Sequence, residues 1–229
     1  ASTLTFAPPA NLRIDASGNI TGTPLVAAEA TTYNLTVAVA NTPYQKTIPF
    51  SFTVNNLTQP LILQFGAIPN KFQVVLPLTG ITGNFVVDWG DGTPTTTNIY
   101  SYTYTNSGVA NYTVKITIQS GTLVGFGSIN WAGSAFLTSI DQWGELPGIS
   151  ALNYIGGAML TNVPYVLPTT ITNLSHMFYQ ASKFNQPIGV WDVSKITNMA
   201  FMFNEATNFN QNLGKWNISK VSNMSRMFF

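Results

Sequence analysis

The sequence feature that most constrains the fold is a repeat of twenty-five residues near the C-terminus. Copies begin at Ile171, Ile196 and Val221, and each opens with a β-branched residue, then Thr or Ser, then Asn. A fixed period of this size is typical of solenoids, in which each unit buries its apolar face against its neighbours. The third copy stops after nine residues, so we expect further repeats or another subunit to cover Phe228 and Phe229.

Composition excludes several classes of function. Charged residues make up 7% of the chain and the formal net charge is +1, so no basic stripe exists to neutralise the phosphates of a nucleic acid. The absence of cysteine excludes disulfides, thiol nucleophiles and zinc–thiolate sites. No apolar run approaches the roughly twenty residues of a membrane span. The 45% apolar content is enough for real hydrophobic cores.

Two β modules are predicted before the repeats. In residues 1–57, alternation of apolar and other residues over 33–39 and 50–54 predicts strands, and the cluster 15–19 predicts a turn. In residues 58–122, the segment 85–93 contains Trp-Gly-Asp-Gly-Thr, and the alternating segment 112–118 predicts another strand. We expect Trp89 to lie in the core of this second module.

Within one repeat, two periodicities follow each other. Met199, Met202, Phe203 and Ala206 have the spacing i, i+3, i+4, i+7, which predicts one face of a helix beginning near Asn198. The segments 188–196 and 213–221 follow leucine-rich-repeat spacing, which predicts short strands stacked in a parallel sheet. Segments 139–145 and 158–164 are interpreted as degenerate entry turns before the regular repeats.

The predicted repeat core contains apolar side chains at equivalent positions. They are Met177, Phe178, Phe184, Trp191, Met199, Met202, Phe203, Phe209 and Trp216. The two tryptophans could instead stack on sugars, but their leucine-like spacing favours packing. Asn185 and Asn210 recur at one turn, where their amides can bond to adjacent coils, so we predict an Asn ladder there.

Three segments resemble known families. Residues 9–24, with Leu-x-Ile-Asp and Gly-x-Ile-x-Gly-Thr-Pro, resemble the immunoglobulin-like domain of bacterial surface proteins. Residues 85–118 resemble a PKD (polycystic kidney disease) domain, and residues from 140 onward resemble BspA-like leucine-rich surface repeats, also found in mycoplasma lipoproteins. These resemblances imply two all-β immunoglobulin-like sandwiches (1–57 and 58–122) followed by an α/β leucine-rich-repeat-like solenoid (123–229).

Candidate chemical groups are few. Asp88 and Asp91 could ligate calcium, a cation that prefers clustered carboxylates, but hydrogen bonding at a turn and a strand end is the favoured explanation. Asp141 and Glu145 could mimic a glycosidase carboxylate pair, although nothing in the sequence positions a substrate. His176 is the only histidine, and its repeat equivalents are Phe and Arg, so we expect it to face solvent rather than act in catalysis.

We therefore expect a non-enzymatic extracellular protein of a cell or virion surface, without cofactors, that mediates adhesion or recognition. The β modules would act as spacers and the solenoid as the contact surface. The expected partner is a protein or glycan on another surface, or further copies of the chain, and not a nucleic acid. No membrane span is expected in this chain. One alternative is a structural subunit that assembles into a layer, fibre or virion decoration. Another is a carbohydrate-binding segment of a larger enzyme.

Overall fold

A computed structural model describes residues 59–229 in full and, before them, the backbone of five strands within residues 2–51. The chain forms two compact units, residues 1–57 and residues 58–229. The strands of the first unit are β1 (Ser2–Thr5), β2 (Leu12–Ile14), β3 (Ile20–Gly22), β4 (Thr32–Val39) and β5 (Gln45–Ser51).

The first unit contains antiparallel pairs throughout its described part. Strands β1, β4 and β5 form one sheet with β4 in the centre, and β2 pairs with β3. Strand β4 covers the alternating segment 33–39, as predicted. The predicted turn at 15–19 and the predicted strand beyond residue 51 lie outside the described residues.

The second unit is organised by a five-stranded antiparallel sheet. Its strands, in spatial order, are β10 (Thr96–Thr97), β9 (Phe85–Asp88), β12 (Ala110–Ile118), β6 (Leu61–Ile68) and β14 (Leu137–Gln142). Along β6 and β12, alternate apolar side chains are buried, because successive side chains of a strand point to opposite faces. One face of the sheet thus lines the core.

The Trp-Gly-Asp-Gly segment fixes the chain after β9. Trp89 is buried, its indole nitrogen donates to the Thr96 hydroxyl at 2.9 Å, and its carbonyl accepts the Tyr104 hydroxyl at 2.8 Å. Gly90 has a φ of 77°, and a Cβ there would lie 2.4 Å from the Thr113 carbonyl oxygen. Only glycine fits this close approach of two backbones.

Two smaller sheets complete the second unit. Strand β7 (Gln73–Val75) pairs with β11 (Ser101–Thr103). Strand β13 (Gly125–Phe126) pairs antiparallel with β8 (Leu78–Thr79) and parallel with β15 (Ala151–Leu152). A 3₁₀ helix (Ser134–Phe136) precedes β14. The parallel pairing continues beyond β15 as single bridges from Ala151 to Asn173, Asn198 and Asn223 in turn.

This continuous ladder defines the coil stack, residues 150–229, in which successive coils lie side by side. The Asn of each regular repeat forms the bridge to the next coil. Its side-chain oxygen accepts the N–H two residues ahead, at 2.9 Å for Asn173, 3.0 Å for Asn198 and 3.1 Å for Asn223. The ladder begins at β13, so the small sheet of the second unit provides the backbone pairing partner for the first coil.

The predicted α/β solenoid is wrong. The described residues contain no α-helix, and the segment 199–206 consists of consecutive turns. The N–H groups of Met202 and Asn204 donate to the carbonyls three residues earlier, while those of Phe201 and Phe203 donate to the next coil, at 3.0 and 2.8 Å. A helical spacing of apolar residues therefore arises here without helical hydrogen bonds, because half of the N–H groups are used between coils.

These turns require a left-handed backbone at residues that are not glycine. His176, Gln180, Phe201, Glu205 and Arg226 all have φ between 52° and 59°. Such a backbone conformation costs about 1–3 kcal/mol for each residue that is not glycine. The hydrogen bonds between coils and the packing beneath them hold the chain in this conformation.

The predicted strands of the repeats are also absent, and one predicted turn is a strand. Segments 188–196 and 213–221 form turns in which the backbone N–H groups of Trp191 and Trp216 donate to the carbonyls three residues earlier. In contrast, residues 137–142, which overlap the predicted entry segment 139–145, form strand β14 and pair with β6. Residues on both sides of position 122 therefore share one sheet and one core.

Stacked aromatic rings fill the interior of the coils. Phe178 lies 4.0 Å from Phe184 between ring centroids, and Phe203 lies 4.0 Å from Phe209 in the next coil. The two pairs are themselves stacked, with 5.4 Å between Phe178 and Phe203. Because each repeat contributes the same rings at the same places, these rings form columns along the stack.

Candidate functional site

A cleft of about 550 Å³ opens at the surface where the coil stack meets the 3₁₀ helix. Three coils contribute to it, through residues 154–158, 179–182 and 205–207, and residues 130–135 form its other side. Tyr154 and Tyr179 both line it, with 5.9 Å between ring centroids and planes at 69°. The cleft therefore has an aromatic wall built by two successive coils.

Small residues keep the cleft open. Gly156, Gly157 and Ala158 line it in succession, with Ala135 opposite. A Cβ at Gly157 would lie 2.6 Å from the Ser134 carbonyl oxygen, so the coil approaches the 3₁₀ helix at backbone distance. The coil can reach this position only because residue 157 has no side chain.

Polar groups occupy the remaining wall. One carboxylate oxygen of Glu205 accepts a hydrogen bond from the Gln180 side-chain amide at 3.0 Å, and the other lies 3.5 Å from the Tyr179 hydroxyl. Ser182 and Thr207 add hydroxyls. No Lys, Arg or His lines the cleft among the residues described. The surface is therefore aromatic, rich in hydrogen-bonding groups and mildly acidic.

An aromatic column runs beside the cleft. Tyr154 stacks on His176 at 4.3 Å, His176 stacks on Phe201 at 4.7 Å, and the Arg226 guanidinium lies 5.8 Å from the Phe201 ring centroid. All four residues have positive φ. The ladder repeats this position once per coil, so the column holds Tyr154 in place at the cleft.

The prediction that His176 faces solvent is only partly right, because it is half-buried between two rings. Burial lowers the pKa of His176 below its ordinary 6.5. As the pH falls below 6.5, the unfolded chain takes up this proton before the folded chain does. The free energy of unfolding therefore decreases until the lower, folded pKa is passed.

We accordingly expect the folded chain to be less stable at pH 5.5 than at pH 7.5. His176→Phe introduces the residue found at the equivalent position 201, keeps a stacked ring and removes the titrating group. The variant should show a smaller change in urea midpoint between the two pH values than the parent chain. An equal change in both proteins would contradict the assigned role of His176.

The residues of the predicted repeat core lie in different environments. Most are buried, and these are Met177, Phe178, Phe184, Trp191, Met199, Met202 and Phe203. Phe209 and Trp216 are partly buried against the same core. The indole nitrogen of Trp191 donates to the Pro164 carbonyl at 3.1 Å, and that of Trp216 donates to the Ile188 carbonyl at 3.1 Å. Both tryptophans thus bond to the preceding coil.

The turn that contains Asn185 and Asn210 also joins coils. The side-chain oxygen of Asn185 accepts the backbone N–H of Asn210 at 2.9 Å and the side-chain amide of Gln211 at 2.9 Å. The neighbouring Gln186, which we did not single out from the sequence, is buried. It bonds to both the N–H and the carbonyl of Val163, at 2.7 and 2.8 Å.

The carboxylates of Asp88 and Asp91 are occupied by groups of their own module. Asp88 accepts the Gly90 N–H at 3.0 Å. Asp91 accepts the Thr93 hydroxyl and the Tyr102 hydroxyl, both at 2.6 Å. Burial alone would raise the pKa of Asp91, but these hydrogen bonds outweigh it and lower the pKa below its ordinary value. Within the described part of the chain, no three or more acidic, His or Cys side chains form a metal-binding group.

The candidate carboxylate pair Asp141 and Glu145 lies outside the cleft lining. Asp141 accepts hydrogen bonds from Gln64 at 2.6 Å and from Ser139 at 2.7 Å, at the edge strand β14. One carboxylate oxygen of Glu145 is buried without a hydrogen-bond partner. The two residues belong to the junction between the sheet and the coil stack.

Sequence reasoning missed the residues of the cleft. Tyr154 precedes the regular repeats, so no period marks it, and its approach to Tyr179 depends on the first, irregular coil. A signal exists in the regular copies, because Tyr179-Gln180 stands where the next copy has Asn204-Glu205. These polar and aromatic residues occupy positions where neither apolar periodicity nor a turn requires them. Residues of this kind indicate a functional surface.

The C-terminal part of the chain matches a known family. Residues 162–229 match the family described as "Mycoplasma protein of unknown function, DUF285", which confirms for these residues the resemblance to BspA-like surface repeats. The match includes no residue before 162. No curated protein and no solved structure matches the chain. In the part of the chain whose structure is described, no helix has the length and apolar character needed to cross a membrane.

Proposed function

We propose that this chain is a non-enzymatic extracellular recognition protein that holds a ligand of another surface in the cleft of the coil stack. The observation that carries the proposal is the cleft itself, which combines Tyr154 and Tyr179 with the polar groups of Gln180 and Glu205. Its volume lies within the roughly 300–1,000 Å³ typical of ligand sites. Regular coils beneath it provide a rigid support, which lowers the entropic cost of binding.

The resemblances of the preceding segments belong to the same proposal. Residues 1–57 would be an immunoglobulin-like module. Residues 58–122 would be the PKD-like part of the unit that also contains the coil stack, and both segments would act as spacers at a cell or virion surface. The antiparallel strands of both segments and the buried Trp89 of the second support this view. The match of residues 162–229 to a mycoplasma family supports a surface setting, because BspA-like repeats are surface repeats.

The edges of the five-stranded sheet favour recognition over self-assembly. Exposed edge strands are the usual sites at which sheets of different molecules pair. In the five-stranded sheet, one edge strand, β10, has only two residues. The other edge strand, β14, is covered by the coil that bonds to Thr138 and Ile140. Neither edge offers a long, free row of backbone groups.

Adhesion of coated beads tests the proposal. Fluorescent beads that carry the chain should adhere to cultured epithelial or bacterial cells, and Ala158→Trp, which fills the cleft from an exposed position, should abolish adhesion. Tyr165→Ala, which removes an exposed tyrosine outside the cleft, is the matched control and should leave adhesion unchanged. Equal adhesion of parent and Ala158→Trp beads would refute a role of the cleft.

Light scattering over a concentration series tests the structural alternative. We expect the mass of the chain in solution to be independent of concentration. A mass that rises steadily with concentration, or the appearance of ordered polymers, would contradict recognition and support assembly as the function.

A further inference from the structure

We infer that the cleft binds a neutral, hydroxyl-rich oligosaccharide. This inference rests on the proposed function, because it names the class of ligand for the same cleft.

The cleft wall matches the two kinds of surface that a sugar presents. A pyranose ring has C–H faces that pack on aromatic rings, and Tyr154 and Tyr179 supply such rings. A sugar also has hydroxyls around its edge, which both donate and accept hydrogen bonds. The Gln180 amide can do both, and the Glu205 carboxylate accepts strongly. These two polar groups already contact each other at 3.0 Å, so each helps to orient the other before a ligand enters.

The charge of the cleft selects against anionic ligands. Glu205 is an exposed carboxylate, and the described lining residues include no cation that could pair with a carboxylate, sulfate or phosphate on a sugar. Repulsion between like charges would therefore oppose the binding of sialylated or sulfated glycans. A neutral ligand has no such cost.

A quaternary ammonium ligand is the strongest competitor, because an acidic group beside aromatic rings also attracts cations. The geometry disfavours it. Tyr154 and Tyr179 are already in edge contact, with centroids 5.9 Å apart, so a cation cannot be enclosed between their faces. The Gln180 amide and the hydroxyls of Ser182 and Thr207 would also lack partners on a trimethylammonium group, whereas sugar hydroxyls satisfy them.

Saturation-transfer NMR on the full chain tests the inference with defined probes. The neutral probes are cellotetraose and chitotetraose, and the competing probes are choline and sialyllactose, all at millimolar concentration. We expect saturation of the ring protons of at least one neutral tetrasaccharide and none of choline or sialyllactose. Transfer to choline or sialyllactose alone, or to no probe, would overturn the inference.

Three variants locate the binding. Tyr179→Ala should weaken tetrasaccharide affinity about tenfold by removing one stacking ring. Ala158→Trp should abolish binding, and Tyr165→Ala should leave it unchanged. Far-ultraviolet circular dichroism and the urea midpoint report whether each variant is folded. Unchanged affinity in folded Tyr179→Ala and Ala158→Trp would place the sugar elsewhere and overturn the inference.

The adhesion assay separates failure of this inference from failure of the proposed function. If beads adhere through the cleft but no neutral tetrasaccharide binds, recognition stands and the ligand is not a neutral glycan. If tetrasaccharides bind in the cleft but beads do not adhere, the inference about the ligand stands and the role in adhesion fails.

Discussion

Phe178→Ala should lower the free energy of unfolding by about 3–5 kcal/mol, the usual cost of deleting a fully buried phenyl ring. The Phe178 side chain is 0% exposed and stacks on Phe184, Phe203 and Trp191. Its removal leaves a cavity that neighbouring coils cannot close, because hydrogen bonds fix the distance between them. Urea denaturation followed by tryptophan fluorescence measures the loss.

Tyr165→Ala is the matched control for this measurement. Tyr165 is an aromatic residue of the same stack but is 61% exposed. Exposed side chains usually contribute within about 0.5 kcal/mol, so the control should hardly change the urea midpoint. Similar losses in the two variants would show that the ring columns do not hold the coils together.

Gln186→Ala should lower the free energy of unfolding by about 2–6 kcal/mol. The Gln186 amide satisfies both the N–H and the carbonyl of buried Val163 in the preceding coil. Without it, two buried backbone groups lose their partners, and each such group costs about 1–3 kcal/mol. Thermal and urea unfolding both measure this effect.

The repeat supplies its own control. Gln211 occupies the position equivalent to Gln186 but is more exposed and donates a single hydrogen bond, to Asn185 at 2.9 Å. We expect Gln211→Ala to cost less than about 1 kcal/mol, because water can replace the lost bond. If the two variants lose equal stability, burial of the amide does not explain its contribution.

The repeat predicted which residues lie at equivalent places and, in large part, which are buried, because a fixed period forces equal environments on equivalent side chains. It could not predict the conformation of the repeat. The spacing of Met199, Met202 and Phe203 fits a helix and equally fits a chain of turns that contacts a neighbouring coil. The two conformations differ in the carbonyl groups to which the backbone N–H groups donate, and the side-chain pattern does not predict these acceptors.

Positive φ values explain why the helix prediction failed. A left-handed backbone is expected at Gly or Asn, yet here Phe201 and Glu205 adopt it. Local preference opposes these conformations, and hydrogen bonds between coils together with the packing beneath them compensate for it. The intrinsic backbone preference of a residue therefore fails to predict its conformation wherever contacts with a neighbouring coil determine it.

The sequence by itself determined the twenty-five-residue period, the apolar positions that face the interior and the alternating strand β4, because these follow from side-chain spacing alone. Only the tertiary structure decided that β14 joins the sheet of β6 and that the ladder begins at β13. It also decided that Tyr154 meets Tyr179 at an open cleft. These features depend on contacts between segments far apart in the chain. The conformation of the irregular first coil in particular depends on the sheet that it covers.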